Sequence, residues 1–240
     1  MTDDLDGVRN HYRATGLAER LKNALVALGP EEQRLKPEQL ASLDQFHTRG
    51  LAATAELAEL AGITADMSVL DVGSGVGGPA RFLAATYGCA VTGVDLSEPF
   101  VEAAIYLTGR TGQGRRVSFK AGSALALPLD DGGFDVVLNG GDPHYPVPWA
   151  KTPAESFLLS ATATCEAIEA AGFRTLVQQD DTADAKTWFA ALRASGPPPL
   201  LNLGVVMGPG FADFAANLGR NLMEGRLGIL TAVFEAVPAS

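Results

Sequence analysis

Val69-Leu70-Asp71-Val72-Gly73-Ser74-Gly75-Val76-Gly77-Gly78 decides how this chain is read. An apolar run of strand character meets an acid and then a ladder of glycines. Gly73, Gly75 and Gly78 satisfy the spacing of a dinucleotide site, where glycines let backbone approach a pyrophosphate at a helix N-terminus. A nicotinamide or flavin ligand is therefore open. Such a site is built for an anion, however, and Asp71 stands two residues before the first glycine. A carboxylate at the mouth of the turn suits a ligand that carries positive charge.

Through Asp71, Gly73, Gly75 and Gly77 the same residues also read D-x-G-x-G-x-G, which resembles the nucleotide-binding loop of the class I, Rossmann-like methyltransferases. Their cofactor, S-adenosylmethionine, has an ammonium and a sulfonium for the acid and a carboxylate for the helix N-terminus. The strand ends that follow extend the resemblance. Ala90-Val91-Thr92-Gly93-Val94-Asp95 reads as a second buried strand ending in an acid, 24 residues after Asp71. A carboxylate there can accept both ribose hydroxyls, in a dinucleotide or an adenosylmethionine enzyme alike. Arg116 to Ala124 reads as a third strand, and Phe134 to Leu138 as a fourth that ends near Asn139. The family usually has an acid where Ser123 stands; serine accepts the same hydrogen bond more weakly.

The resemblance implies cofactor contacts at Asp71, Gly73, Ser74, Gly75, Gly77, Asp95, Leu96, Ser123, Ala124 and Asn139. The plainer alternative is that the glycines form an ordinary α/β turn and Asp95 caps the next helix.

Alternating strand and helix implies an α/β, Rossmann-like, mostly parallel sheet with ligands at the strand carboxyl ends. The core begins near residue 65, and residues 1–64 read as a helical lid. Leu17, Leu21, Leu25 and Leu28 make a helical stripe ended by Gly29-Pro30. Pro37 opens a short helix through Leu43, and Ala53, Leu57, Leu60 and Ala61 form a third stripe stopped by Gly62. After the glycines a helix is expected over 79–87, and Ser97 with Pro99 opens another that runs to about Arg110. Later come a helix over 162–171, a strand from Phe173 to Gln179 and a helix over 183–194. A last helix runs from Phe211 to Glu224, and an edge strand from Leu227 to Val237.

Past Asn139 the pattern breaks. Gly140-Gly141-Asp142-Pro143-His144-Tyr145-Pro146-Val147-Pro148-Trp149 opens a proline-rich loop over about 140–158, where the fold normally continues with a helix and a strand. That unit takes roughly 25–35 residues and reads as missing. Its loss leaves the fourth strand with an open edge, or draws a later strand sideways to cover it.

Similarity is greatest to small-molecule methyltransferases of the quinone-biosynthesis and sarcosine/dimethylglycine type, in which a Gln-Phe-His segment and a proline-aromatic stretch recur. It implies substrate contacts at Gln45 and His47, with Phe46 between them, and at Tyr145 and Trp149. His144 is the candidate base if the nucleophile must lose a proton, and His11 and Tyr12 belong with the lid. A surface turn at 45–47 and a packed loop at 143–149 are the plainer alternatives.

With 47% hydrophobic and 19% charged residues, the 240-residue chain is globular rather than disordered. Its net charge of −10 disfavours a phosphate backbone as substrate, so a small molecule is expected and nucleic acid is not. The densest basic stretch, Arg110, Arg115, Arg116 and Lys120, reads as a solvated loop. Cys89 and Cys165 sit among apolar residues without metal-ligand spacing and read as packed thiols, so no metal is expected. The acidic start and the lack of a long apolar span point to the cytoplasm rather than a membrane, and leave a homodimer open. Two alternatives stand beside methyl transfer to a nitrogen, carbon or oxygen nucleophile. One is a cofactor-binding protein without turnover. The other, an NAD-dependent oxidoreductase, is disfavoured by Asp71 and by the lack of a Tyr-x-x-x-Lys group.

Overall fold

A computed structural model describes residues 16–30, 33–123, 127–128, 159–196 and 198–237, and the backbone of 136–138. Leu17, Leu21 and Leu25 are all buried along α1 (Leu17–Leu25), as their spacing predicts, and a 3-10 turn over Val26–Leu28 completes the segment. Pro37, pre-set for a first helical turn, opens α2 (Pro37–Asp44), which buries Leu40 and Leu43. The third stripe forms α3 (Leu51–Leu60) but buries a different face. Thr54 and Ala58 point inward, Ala53 and Leu57 are half-buried, and Leu60 is exposed. The Thr54 hydroxyl meets Gln45 and His47, so polar contacts inside the 45–54 turn choose the face over the apolar stripe.

Four strands form the main sheet: β1 (Ser68–Val72), β2 (Ala90–Asp95), β3 (Val117–Ala121) and β4 (Val136–Leu138), in the order β3-β2-β1-β4. All pairs are parallel, and β1 is central: Asp71 is in register with Gly93 on one side and Leu138 on the other. Parallel neighbours need crossovers that cover the sheet. α4 (Gly78–Thr86) and α5 (Glu98–Thr111) supply them, and the Ser97 hydroxyl caps α5 by accepting from the Phe100 N–H at 3.4 Å. Val69, Leu83, Val91, Val117 and Phe119 pack into one buried cluster beneath these helices.

A second cluster joins α1 and α2 to α5 through Leu21, Leu40, Val76, Phe100 and Leu107, with Leu201 and Val206 from near the other end of the chain. Val206 lies in α8 (Leu203–Met207), a helix too short to leave a periodic signal. Arg20 holds it to α1 by donating to the Val205 and Val206 carbonyls at 2.9 and 3.1 Å.

The remaining elements are α6 (Ala161–Ala170), β5 (Phe173–Asp180), α7 (Thr182–Ala194), α9 (Phe211–Met223) and β6 (Leu230–Ala236). β6 is not an edge of the main sheet. It pairs antiparallel with β5 in a separate two-stranded sheet, with an irregularity between Thr175 and Val177. Among the described residues neither strand pairs with β4, which therefore ends the main sheet. The expected loss of a helix and strand falls on residues 139–158, outside the described residues. No helix among the described residues is long and apolar enough to cross a membrane.

Candidate functional site

The central strand carries Asp71 to its carboxyl end, where the glycine loop begins. Gly73, Gly75 and Gly77 adopt φ of 77°, 54° and 80°, a left-handed conformation that a Cβ disfavours. The Gly73 and Ser74 N–H groups both donate to the Val94 carbonyl, at 2.8 and 3.1 Å, and fasten the loop to β2. The Asp95 carboxylate accepts from the Gly75 N–H at 2.8 Å and the Ser97 N–H at 2.9 Å. It thus joins the loop to the start of α5, and each oxygen keeps a lone pair for a further donor.

Asp71 is in a different state. It is 6% exposed, and its buried Oδ2 has no hydrogen-bond partner among the described residues. Burial first, and the nearby Asp95 second, push its carboxyl up to about 7, against a lowering pull from Arg81. A buried acceptor left unpaired is costly, so native structures rarely keep one without a use. Ser74 Oγ is buried and unpartnered in the same way. Ser74 Oγ lies against Gly93 of β2, and α4, whose first amides have no partner within the helix, begins four residues further along the chain. An unpaired carboxylate oxygen, a free hydroxyl and helix amides together suit a zwitterion, with its ammonium at the acid and its carboxylate at the amides.

The lid turn lies over this loop. The Phe46 ring is 3.4 Å from the position a Cβ on Gly75 would occupy, and its centroid is 5.9 Å from that of Phe100. Gln45 is buried, and its side-chain oxygen accepts from the Thr54 hydroxyl at 3.3 Å. His47 is exposed and donates from Nε2 to the Gly50 carbonyl at 2.9 Å, with the Thr54 hydroxyl 3.0 Å from the same nitrogen. Both expected substrate residues are thus engaged within their own turn, and the ring between them faces the loop.

Leu96 is half-buried after β2, and Ser123 is half-buried just past β3. Ala124, Asn139, His144, Tyr145 and Trp149 lie outside the described residues, as do His11 and Tyr12.

One feature of the site is absent from the sequence reading. Arg81, fully buried in α4, donates to the Asp44 carboxylate of α2 at 2.7 Å, and Asp44 is 2% exposed. The signal was an arginine inside the apolar run Ala80-Arg81-Phe82-Leu83-Ala84, where a charge needs a buried partner.

The basic stretch is also divided. Arg115, Arg116 and Lys120 are exposed as expected, but Arg110 is buried in the last turn of α5, donating to the Tyr106 hydroxyl and the Pro30 carbonyl. Cys89 and Cys165 are buried free thiols. Two surface grooves lie away from the glycine loop. One of about 360 Å³ is flanked by Glu56, Asp181 and Thr231, and one of about 470 Å³ by Lys36, Arg115 and Arg116.

Residues 69–157 match the family described as a methyltransferase domain. The chain is 44% identical over 70 residues to a probable chloroplastic tocopherol O-methyltransferase of Oryza sativa subsp. japonica, covering 29% of this chain and 19% of that protein. It is 40% identical over 86 residues to a glycine/sarcosine/dimethylglycine N-methyltransferase of Actinopolyspora halophila, covering 33% of this chain and 15% of that protein. The chain therefore spans less than a fifth of either relative. Among solved structures, a geranyl diphosphate methyltransferase in complex with GPP and sinefungin has a TM-score of 0.66 at 14% identity, covering 98% of this chain and 100% of that one. The [4+2]-cyclase SpnF has a TM-score of 0.62 at 20% identity, covering 97% and 96%. At such identities the likeness shows the fold alone: the class I, Rossmann-like methyltransferase fold.

Proposed function

We propose that this chain, which carries a methyltransferase domain, binds S-adenosylmethionine at the glycine loop and transfers its methyl group to a small-molecule acceptor, releasing S-adenosylhomocysteine. The observation that carries the reading is the buried Asp71 Oδ2 left without a partner at the loop. A pyrophosphate would be repelled by it; an ammonium completes it.

In this reading Asp71, Ser74 and the backbone of Gly73, Gly75 and Gly77 hold the methionine portion. Asp95 and Leu96 flank the ribose, and Ser123, Ala124 and Asn139 line the adenine side. The cofactor supplies an already activated methyl, so the protein's own work is to bind, align and exclude water. Phe46 serves the last role, laid over the loop against Phe100. Gln45 and His47 shape the turn that presents it, while Tyr145 and Trp149 contact the acceptor. His144 takes a proton where the nucleophile carries one.

The net charge of −10 supports a small metabolite over nucleic acid. The reading takes in nitrogen, carbon and oxygen nucleophiles, and the two relatives are named for O- and N-methylation. The unit boundaries proposed are a helical lid over 1–64 and the cofactor domain over 65–240.

Calorimetric titration with S-adenosylhomocysteine and with NADH tests the assignment. Heat from the first alone is expected, and heat from NADH alone overturns it. Labelled-methyl transfer to a panel of amines and phenols then tests turnover. Cofactor binding without labelled product favours a binding protein, a reading supported by the 22-residue spacing between Leu138 and Ala161. That spacing is short of the roughly 25–35 residues that a helix and strand require.

A further inference from the structure

We propose that Asp44 and Arg81 form a positioning pair that clamps the lid turn onto the glycine loop, so that cofactor binding and lid placement are coupled. The inference rests on the cofactor reading above. It adds two residues that make no contact of their own with the ligand.

Three contacts converge on one short span. Arg81 reaches from α4 to the Asp44 carboxylate at the end of α2, and it also donates to the Ala104 carbonyl and the Thr108 hydroxyl of α5, both at 3.3 Å. Asp44 presses on the loop directly as well. A Cβ on Gly78 would lie 2.2 Å from the Asp44 carbonyl oxygen, so α2 and the first residue of α4 meet backbone to backbone. Two residues beyond Asp44, Phe46 covers Gly75. The pair therefore sets where the covering ring sits relative to the loop beneath it.

Stability alone does not explain such a pair. A buried ion pair loses much of its attraction to desolvation, and well-packed apolar residues often serve as well or better. This pair is moreover incompletely satisfied. Asp44 Oδ1 and Arg81 Nε are both buried without a partner among the described residues. What an ion pair adds over apolar packing is a fixed register between two elements, here the lid and the helix that follows the glycines.

Arg81 also lies close enough to Asp71 to favour its ionised form. Asp44 thus holds in place a cation that would otherwise compete for the carboxylate offered to the cofactor. Loss of Asp44 removes the ion-pair partner of Arg81, so that both the clamp and the Asp71 carboxylate offered to the cofactor are disturbed.

Two measurements on the 240-residue chain test this. The first is hydrogen exchange of residues 40–50 in the wild-type chain, with and without saturating S-adenosylhomocysteine. Protection of that segment is expected to rise about tenfold with the ligand, within the usual range of coupling between sites. The second is calorimetric affinity for S-adenosylhomocysteine in Asp44→Asn and in the apolar double variant Asp44→Leu/Arg81→Met. Both are expected to bind about tenfold more weakly and to lose the ligand-induced protection, even where the double variant melts at the wild-type temperature. Wild-type affinity in a folded variant, or no ligand effect on residues 40–50 of the wild-type chain, overturns the proposal. Should both variants fail to fold, the wild-type exchange result decides alone. A wild-type chain that binds no S-adenosylhomocysteine at all instead overturns the cofactor reading, so the two failures are distinct.

Discussion

At the scale of single residues, Asp71 concentrates both the cost and the use of the site. Burial and the nearby Asp95 oppose its charge and push its carboxyl up to about 7. An ammonium requires the ionised form. Cofactor affinity is therefore expected to fall about tenfold for each pH unit below 7, a slope that calorimetry between pH 5.5 and 7 can measure. Asp71→Ala should flatten that slope and weaken binding by ~1–3 kcal/mol, the range for a charged hydrogen bond. Stability of the ligand-free protein runs the other way. The folded carboxyl titrates above its ordinary value, so its contribution is greatest in acid and is lost as pH rises through 7. Asp71→Asn, which never ionises, should melt above the wild type at pH 8, and by a smaller margin at pH 5. A wild-type melting temperature equal to that of the variant at pH 8 would show that Asp71 is not strained. The position of this acid was legible in the sequence, because it interrupts an apolar strand just before the glycines. Its orphaned oxygen was not, because that depends on which groups fail to reach it in three dimensions.

Elements meet most closely where α2 abuts α4, and glycines report how closely. Gly78→Ala places a methyl against the Asp44 backbone, 2.2 Å from its carbonyl oxygen, where no flexible side chain can yield. We expect a loss of about 1–3 kcal/mol in thermal or urea unfolding, the usual cost of overpacking, together with weaker cofactor binding as the lid is displaced. Gly109→Ala is the control. It occupies an exposed position of α5 with nothing within 4 Å of the added carbon, and should stabilise by about 0.8–1 kcal/mol through helix propensity. If both variants shift stability in the same direction, the backbone contact at Gly78 is not what limits that position. The helices themselves were readable from leucine spacing, from Pro37 and from Ser97. Their facing was less so. In α3 the apolar stripe pointed one way and the Thr54 hydroxyl the other, and a hydrogen bond to a residue nine positions earlier decided between them.

The whole molecule divides its burial unevenly. The parallel sheet is legible in the sequence because Asp71, Asp95 and Ser123 stand at or beside the ends of its strands, each where a crossover helix or loop begins. The separate β5–β6 sheet is not, since its pairing of Phe173 with Ala236 joins residues far apart in the chain with no local signal. That sheet leaves Phe173 at 39% and Leu176 at 53% exposure, and the small cluster that lies between its strands in the chain, Ala185, Phe189, Leu222 and Leu227, joins α7 to α9. The main sheet rests on a much larger cluster in which Val69, Leu83 and Cys89 are wholly buried. Opening free energy follows buried apolar contact, so the two sheets should not exchange alike. Native-state hydrogen exchange is expected to show β1 and β2 as the most protected strands, with β5 and β6 opening at lower free energy. Arg49 links the lid turn to this sheet: its guanidinium bonds Glu56 and lies 3.6 Å from the buried Asp181, which in turn accepts from the Thr231 hydroxyl of β6. Arg49→Ala should therefore speed exchange in β5 and β6 while leaving β1 and β2 unchanged. Equal acceleration in both sheets would mean that the molecule opens as a single cooperative unit, with its small cluster held by the large one.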